Sequence, residues 1–303
     1  MKNKKDFDVI IIGGSYAGLS AGMALGRSLR NTLIIDSGKP CNRFTPHSHN
    51  FITHDGEKPA VIAEKARVQV LNYPTVQWHE GLAVSGKAVE SGFMITTETG
   101  EEFRAKKLIF ATGIKDILPD IKGFAECWGI SVIHCPYCHG YEVNNARTGI
   151  LANGDFAAHY AQLVRNLTPD LAIFTNGQAA FSDEQAAQLT RHGIPVIEKE
   201  IVYFDQENGR IRHIVFSDNS VFPLEAVYAR PAFEQHCRIH EMLGCELTEQ
   251  GLLKTDMFQK TNVTGVFACG DSTSPMRSVA QAVATGNITG AMVNSLLAGE
   301  EFQ

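Results

Sequence analysis

The chain has 303 residues, of which 44% are apolar and 20% charged, and this length allows two domains with separate cores. Its net charge of −6 argues against a nucleic acid or an anionic membrane surface as a partner. The apolar run at residues 9–12 is too short for a signal peptide and no later segment reaches transmembrane length, so a cytoplasmic location is expected.

The N-terminal segment has the pattern of a nucleotide-binding strand, turn and helix. Its parts are an apolar strand at residues 7–12, a tight turn at 13–18 (GGSYAG), a helix at 19–29 and a second strand at 31–36. In such a βαβ unit the glycine turn lets the backbone approach a pyrophosphate, and the terminal acid, Asp36, holds a ribose hydroxyl. Ser15 stands where a second glycine is usual, so a tighter local fit is expected.

The middle of the chain predicts short strands and then a second unit of the same kind. Residues 76–109 alternate in polarity around a turn at 97–100, which is typical of a hairpin. Residues 149–158 repeat the strand–turn–helix pattern, but Ala152 replaces the first glycine and residues 175–178 (TNGQ) carry neither acid nor base. Weak nucleotide binding and a fold kept only as a scaffold are both open for this unit.

Cys135 and Cys138 are separated by two residues, and Pro136 directly follows the first cysteine. Proline suits the first position of a helix, so both thiols are expected at a helix N-terminus, which favours a thiolate. A redox dithiol needs that thiolate, because the thiolate attacks a disulfide. A zinc site would need a second ligand pair, which the other five cysteines do not supply, and two ordinary buried cysteines are the remaining alternative. We predict a redox dithiol and no metal site.

The C-terminal segment predicts a buried strand that ends in Gly270 and Asp271, followed by a helix of small residues over 279–297. The acid can hold a polyol hydroxyl, and the helix N-terminus can face an electron-rich ring edge. Cys269 is expected to pack inside the strand, as free cysteines commonly do.

These elements predict an α/β fold with two Rossmann-like three-layer nucleotide-binding domains, the second inserted into the first. We expect residues 1–115 and 247–303 to form the first domain. Residues 116–246 are expected to form the second, which carries the dithiol.

The order of the motifs resembles that of the low-molecular-weight thioredoxin reductases. The glycine turn, Ala111-Thr112-Gly113, the dithiol, the second unit and Cys269-Gly270-Asp271 follow one another as in that family. Residues 40–43, 49–53 and 135–140 are most similar to the branch that includes the gliotoxin- and holomycin-type dithiol oxidases. The resemblance implies that the first domain binds FAD, that the second is NAD(P)-binding-like, and that the protein is a homodimer.

The resemblance also implies roles for individual residues. The pyrophosphate of FAD would be held by Gly13, Ser15, Ala17 and Gly18, its ribose by Asp36 and its adenine by the backbone of Ala83. The isoalloxazine would lie beside Arg43, Asn50 and Thr53, and the ribitol would bind Asp271. The N–H groups of Val279 and Ala280 would face the flavin O2 edge. Further cofactor contacts are expected at Gly14, Tyr16, Ser37, Ala111, Thr112, Gly113 and Gly270. Cys138 would face the flavin, and Cys135 would exchange with the substrate.

Two positions depart from the reductase pattern. His139 follows the second cysteine, where these reductases usually carry an aspartate that gives and takes protons. An imidazole can do the same work near neutral pH, or it can merely pack or cap. The basic cluster that selects NADPH is missing after Phe174, so the choice between NADPH and NADH stays open.

Three functions are compatible with these residues. The first is an FAD-dependent disulfide reductase that passes electrons from the flavin through the dithiol to a thioredoxin-like protein or a small disulfide. The second is a dithiol oxidase that closes a disulfide in a small molecule and passes electrons from FAD to oxygen. The third is a flavin-binding sensor without turnover, against which the intact dithiol argues. No residue pattern separates the first two.

Overall fold

The computed structural model describes residues 5–303, which form two compact units. Unit 1 comprises residues 5–43, 57–115 and 233–303, and unit 2 comprises residues 44–56 and 116–232. Within this described part of the chain, no helix combines the length and apolarity needed to cross a membrane.

The strands of both units are numbered in chain order. They are β1 (Asp6–Ile12), β2 (Thr32–Asp36), β3 (Val76–Glu80), β4 (Ala83–Val89), β5 (Gly92–Thr97), β6 (Glu102–Phe110), β7 (Ile114–Ile117), β8 (Val132–Ile133), β9 (Thr148–Leu151), β10 (Leu171–Phe174), β11 (Val196–Ile197), β12 (Ile201–Glu207), β13 (Arg210–Phe216), β14 (Val221–Pro223), β15 (Ala226–Ala229), β16 (Ala232–Gln235) and β17 (Val266–Ala268).

The helices of both units are numbered in the same way. They are α1 (Tyr16–Arg27), α2 (Pro59–Leu71), α3 (Phe124–Cys127), α4 (Pro136–His139), α5 (Gly154–Val164), α6 (Asp183–Arg191), α7 (Ile239–Met242) and α8 (Val279–Glu301). Single 3₁₀ turns cover Cys41–Phe44, Tyr141–Val143 and Gly270–Ser272.

Unit 1 is built on a sheet in the order β3-β2-β1-β6-β5-β4, with β17 beside β6. β3, β2, β1, β6 and β17 are parallel, and Ile12 lies opposite Ile35 on β2 and Phe110 on β6. β1, β2, β17 and the end of β6 are nearly continuous apolar runs, as expected when both faces of a parallel sheet are covered, whereas the edge strand β3 is more polar. Because parallel strands end at one edge, the segments after β1, β2, β6 and β17 meet there.

The long helix α8 packs along α1 in unit 1. Ser20 on α1 donates a hydrogen bond to the carbonyl oxygen of Val283 at 2.7 Å. At the far end, Arg30 and Glu301 form an ion pair at 2.7 Å. These contacts hold the two helix N-termini on the sheet edge where the predicted cofactor residues lie.

Unit 2 contains a parallel sheet in the order β11-β10-β9-β15-β8 and an antiparallel sheet β12-β13-β14. One face of the parallel sheet buries Phe174 with Phe204 and Phe216 of the antiparallel sheet. The other face buries Ile150 and Ile173 with residues of α5 and α6. This makes three layers, and the predicted α/β class with two Rossmann-like units is confirmed.

Residues 233–246 belong to unit 1, although the sequence pattern predicted them in the inserted domain. The reason is the packing of α7: Ile239 is fully buried in the core of unit 1 with Ile95 and Leu253. Residues 44–56 fall in unit 2, although the prediction of a first domain over residues 1–115 had included them.

Candidate active site

The glycine turn after β1 lies in unit 1 at the N-terminus of α1. Gly13 has a φ of +103°, and a Cβ there would overlap the carbonyl oxygen of Ala111. A Cβ on Gly18 would overlap the carbonyl oxygen of Gly13. The side chain of Ser15 makes no capping hydrogen bond, so the first N–H groups of α1 stay available to a phosphate.

The acid at the end of β2 closes this turn. Asp36 accepts hydrogen bonds from the N–H of Gly14 at 2.5 Å and of Gly38 at 2.7 Å. Its carboxylate is half-buried, next to Ser37 and beside the helix N-terminus. The turn, the uncapped helix and this acid together fit the pyrophosphate and ribose of FAD.

The C-terminal part of the site lies at the same edge of the sheet in unit 1. Gly270 donates its N–H to Thr285 Oγ1 at 3.0 Å, and Asp271 lies half-buried with Oδ2 3.7 Å from Cys41 Sγ. Ser278 caps α8 by accepting from the N–H of Gln281 at 3.1 Å, which leaves Val279 and Ala280 as the first two residues of the helix. This arrangement fits a ribitol hydroxyl and an electron-rich ring edge.

The remaining predicted cofactor residues are distributed over both units. In unit 1, Tyr16 donates its hydroxyl to the carbonyl oxygen of Pro59 at 3.0 Å, and burial raises its pKa. The other unit 1 residues are Ala17 on α1, Arg43 in the first 3₁₀ turn, Ala83 at the start of β4 and Ala111, Thr112 and Gly113 directly after β6.

Asn50 and Thr53 lie in unit 2, in a compact loop of residues 48–56. Both have positive φ values, +57° and +74°, and the value for a β-branched threonine is an outlier that marks a constrained loop. The loop is closed by Asp55, whose Oδ1 accepts from the N–H of Asn50 at 2.7 Å.

The dithiol occupies a single helical turn in unit 2. Cys135 and Cys138 are joined in a disulfide, Cys135 is the N-cap of α4, and Pro136 is its first residue. The dithiol thus lies at a helix N-terminus as predicted, but α4 has only four residues, so its dipole is small. A hydrogen bond acts on the sulfur in addition to this dipole, because the N–H of Cys138 donates to Cys135 Sγ at 3.1 Å.

His139 ends that turn and is half-buried. Burial lowers its pKa below the ordinary value, with a smaller lowering from His49 and an opposing rise from Glu142. The imidazole is therefore neutral at neutral pH and can accept a proton from a thiol.

His49, Asp55 and Glu142 form a cluster with His139 that no sequence pattern had indicated. His49 Nε2 lies 3.4 Å from Glu142 Oε1, and His49 Nδ1 lies 3.7 Å from Asp55 Oδ1. The partners are up to 93 positions apart in the chain, so a local pattern could not bring them together. The only signal was the occurrence of two imidazoles and two acids near the matched segments.

Cys237 and Cys269, which lie outside the dithiol, have thiols of raised pKa and low reactivity. Burial raises the pKa of Cys237 to about 11 and that of Cys269 to about 12, so both are thiols at neutral pH. In residues 5–303, His, Cys, Asp and Glu side chains do not gather in groups of three or more that could hold a metal ion.

The second strand–turn–helix unit is tied to the loop after β10. Asn153 Oδ1 accepts from the N–H groups of Gly154 at 2.9 Å and Ala180 at 2.8 Å, and its amide donates to the carbonyl oxygen of Gln178 at 2.8 Å. Asn153, Gln178 and Ala180 are all exposed to solvent. The hydrogen-bonding groups of the Asn153 side chain at the start of α5 are thus taken up by the loop after β10.

Charged side chains of both signs lie at this helix end. Asp155 lies in the first turn of α5, and Glu198 accepts from the N–H of Ala179 at 2.5 Å. Arg230 lies over the ring of Phe156, in the same turn, at 5.2 Å from its centroid. Residues 175–181 contain no lysine or arginine, so the loop after β10 itself offers no cation to a phosphate.

Comparisons with known proteins agree with this geometry. A family model described as Pyridine nucleotide-disulphide oxidoreductase matches residues 7–286. The chain is 30% identical to thioredoxin reductase sirT of Leptosphaeria maculans, over 98% of this chain and 96% of that one. An oxidoreductase structure from Agrobacterium tumefaciens has a TM-score of 0.91 at 37% identity, over 97% of this chain and 99% of that one. The structure of HlmI has a TM-score of 0.93 at 29% identity, over 100% and 96%.

The chain therefore belongs to the pyridine nucleotide-disulphide oxidoreductase family and is a thioredoxin reductase-like FAD disulfide oxidoreductase.

Proposed function

We propose that this oxidoreductase works mainly as a dithiol oxidase, which closes a disulfide in a small dithiol and passes the electrons through FAD to oxygen. The observation that carries the proposal is the loop after β10, which hydrogen-bonds to Asn153 at the start of α5 and has no lysine or arginine over residues 175–181. A reductase needs a donor that reloads its flavin, and in this family the donor is a pyridine nucleotide. A donor site whose loop lacks a phosphate partner favours the direction in which the substrate itself supplies the electrons.

The energetic argument concerns the phosphate groups. A charge-assisted bond between an arginine and a phosphate contributes about 1.5–3 kcal/mol, and residues 175–181 offer no such partner. Asp155 and Glu198 would instead repel a phosphate at the helix end, and Arg230, which lies over the ring of Phe156, would offset part of that repulsion. We therefore propose weak and poorly selective use of both NADPH and NADH.

The proposed FAD site is the sheet edge of unit 1. There the pyrophosphate would be held by Gly13, Ser15, Ala17 and Gly18, and the ribose by Asp36. The adenine would contact Ala83, the ribitol Asp271, and the flavin O2 edge Val279 and Ala280. The rest of the site would be lined by Gly14, Tyr16, Ser37, Ala111, Thr112, Gly113 and Gly270. Arg43, Asn50 and Thr53 are proposed for the isoalloxazine. When bound, FAD supplies a two-electron acceptor that oxygen can reoxidise.

The chain's own residues carry the sulfur chemistry. A substrate thiol gives its proton to His139, and the resulting thiolate bonds to Cys135 while Cys138 leaves as a thiolate. The second substrate thiol then closes the substrate disulfide and releases Cys135. Cys135 and Cys138 give up two electrons when their disulfide forms again, and oxygen takes up two electrons and two protons to give hydrogen peroxide.

Oxygen uptake without any pyridine nucleotide tests this proposal. The purified holoenzyme in air, supplied with dithiothreitol, is expected to consume oxygen and to form one oxidised dithiothreitol for each hydrogen peroxide. Cys135→Ser is the control, because it retains the flavin site and lacks the exchanging thiol. Equal oxygen uptake in the variant and the wild type would contradict the proposal.

Disulfide reduction is the second candidate, because the relatives at about 30% identity are named thioredoxin reductases. It uses the same Cys135 and Cys138, with electrons moving from the flavin to a thioredoxin-like protein or a small disulfide. Because residues 175–181 offer no phosphate partner, its donor would be a reductant other than a pyridine nucleotide, such as a reduced ferredoxin. Anaerobic bleaching of the flavin by ferredoxin, followed by reoxidation with a disulfide, would support this direction.

Two further parts of the proposal rest on resemblance. We propose a homodimer in a reducing cytoplasm, where a dithiol is catalytic rather than structural. Light scattering during size exclusion is expected to give twice the chain mass of 33.2 kDa, and the chain mass alone would contradict the dimer.

A further inference from the structure

Four titratable side chains cluster at the dithiol turn of unit 2, and the proposed sulfur chemistry uses only one of them. His49 Nε2 lies 3.4 Å from Glu142 Oε1, and His49 Nδ1 lies 3.7 Å from Asp55 Oδ1. The rings of His49 and His139 meet edge to face with their centroids 6.5 Å apart. Because His139 directly follows Cys138, the cluster begins at the dithiol itself.

Dithiol oxidation releases one proton from each substrate thiol. The first substrate thiol loses a proton as its sulfur bonds to Cys135 and Cys138 leaves as a thiolate. The second substrate thiol loses a proton as the substrate disulfide closes and Cys135 leaves as a thiolate. While Cys138 stays a thiolate, ready to pass electrons to the flavin, His139 keeps the first proton, and a single imidazole can take up only one. The second proton then needs another acceptor.

We propose that His49 is a positioning residue that holds the second of these protons, in exchange with His139 and stabilised by Asp55 and Glu142. This inference rests on the proposed dithiol oxidation. Asp55 and Glu142 both lie beside His49, so protons taken up by the two imidazoles are held next to two acidic side chains.

The surrounding groups are compatible with this role. His47 contacts His49 with ring centroids 6.4 Å apart, but it is exposed to solvent. Tyr228 interacts with Glu142, and burial raises its pKa, so it stays neutral in the working range of pH. His54, in the same loop as Asp55, contacts Phe51 with ring centroids 5.8 Å apart.

The test is a proton count during one anaerobic turnover. Oxidised holoenzyme in weak buffer near neutral pH is mixed with dithiothreitol, and an indicator dye reports the protons released before the flavin bleaches. The wild type is expected to keep the protons on the protein. His49→Gln is expected to release about one proton more per chain, because one imidazole binds one proton.

The pH profile of flavin reduction gives the second readout. His49→Gln should slow reduction about tenfold near neutral pH and recover at high pH, where substrate thiols ionise unaided. Its acidic limb should move to higher pH, because removal of His49 removes a group that lowers the pKa of His139. Glu142→Gln should move the limb to lower pH, because Glu142 raises that pKa.

His47→Gln is the matched control and should leave the proton count and the profile unchanged. A His49→Gln variant with the wild-type proton count and profile would overturn the inference and leave the proposed function standing. A loss of rate that is equal at every pH would also overturn it, since it would show a purely structural role. A wild-type flavin that dithiothreitol cannot reduce would overturn the proposed function, and this inference with it.

Discussion

The two strand–turn–helix units of this chain share a local pattern but differ at the helix N-terminus. In unit 1 the side chain of Ser15 makes no capping bond, so the N–H groups of α1 stay available. In unit 2 Asn153 accepts from the N–H groups of Gly154 and Ala180 and so ties the loop after β10 to the start of α5. A Rossmann-like fold thus predicts where a nucleotide could bind, while capping and charged side chains at the helix N-terminus set how well it binds.

The largest expected effect tests what unit 2 does contribute. Cys135→Ser should lower dithiol turnover about a thousandfold or more, because no other thiol can form the mixed disulfide. Cys138→Ser should interrupt electron transfer between the flavin and the dithiol, and should lower dithiol turnover by a similar factor. Steady-state oxygen uptake with dithiothreitol measures both.

Cys237→Ser is the control for these variants, because its thiol has a raised pKa of about 11 and takes no part in exchange. It should keep activity within about twofold of the wild type, as expected for a substitution outside the site. Equal activity in all three variants would reject the dithiol mechanism.

The next prediction compares the two turns directly. Gly13→Ala should reduce the flavin content of the purified protein about tenfold or more, because the methyl would overlap the carbonyl oxygen of Ala111 and displace the turn. Gly154→Ala in unit 2 should leave the flavin content unchanged. The ratio of flavin to protein absorbance after reconstitution with FAD measures both variants.

Gly38→Ala controls for the cost of a positive φ alone, since Gly38 has a φ of +71° and nothing within 4 Å of a Cβ. Circular dichroism confirms that each variant is folded. A folded Gly13→Ala protein with one FAD per chain would show that this turn does not hold the pyrophosphate.

A third change aims to make unit 2 resemble unit 1. The triple variant Asn153→Gly, Asp155→Ala and Gln178→Arg frees the loop, removes a negative charge and adds a phosphate partner. The KM for NADPH should fall about tenfold, since about 1.4 kcal/mol corresponds to a factor of ten. Ala187→Arg, which places a cation on the exposed face of α6, should leave KM unchanged. Steady-state kinetics with a disulfide acceptor would reveal either outcome, and an unchanged KM in the triple variant would contradict this account of the loop after β10.

The features that the sequence predicted are those set by local patterns. The strand before Gly13, the acid at Asp36 and the start of α8 at Val279 follow from apolar runs and small residues close together in the chain. Pro136 at the first helical position was also predicted and is confirmed. A Cβ at Gly140 would overlap the carbonyl oxygen of Pro136 and the side chain of Leu167, so the chain is tightly packed directly after this turn.

The features that the sequence did not reveal depend on distant contacts. Asn153 binds a loop 27 positions later, and His49 meets Glu142 across 93 positions. Ile239 joins unit 1 because its side chain fills a core formed by distant strands. In each case the side chain has several plausible local roles, and only the tertiary fold selects among them.

The smallest expected effect concerns the support beneath the dithiol turn. The hydroxyl of Tyr228 is buried without a hydrogen-bond partner among residues 5–303, and it lies 3.0 Å from the place of a Cβ on Gly140. Tyr228→Phe removes this unsatisfied group, so the free energy of unfolding should stay level or rise by about 1 kcal/mol. Denaturant unfolding measures it, and a loss of more than about 2 kcal/mol would reveal a partner for the hydroxyl.

The most direct test of the central claim is to reduce the flavin of one enzyme preparation anaerobically with dithiothreitol or with NADPH in a stopped-flow instrument. The central claim is that unit 2 supplies the Cys135–Cys138 dithiol but no effective pyridine nucleotide site. The account predicts that dithiothreitol bleaches the flavin at least about tenfold faster than NADPH or NADH at equal concentration, with little difference between the two nucleotides. Faster bleaching by NADPH, with a micromolar half-saturation and a strong preference over NADH, would contradict it.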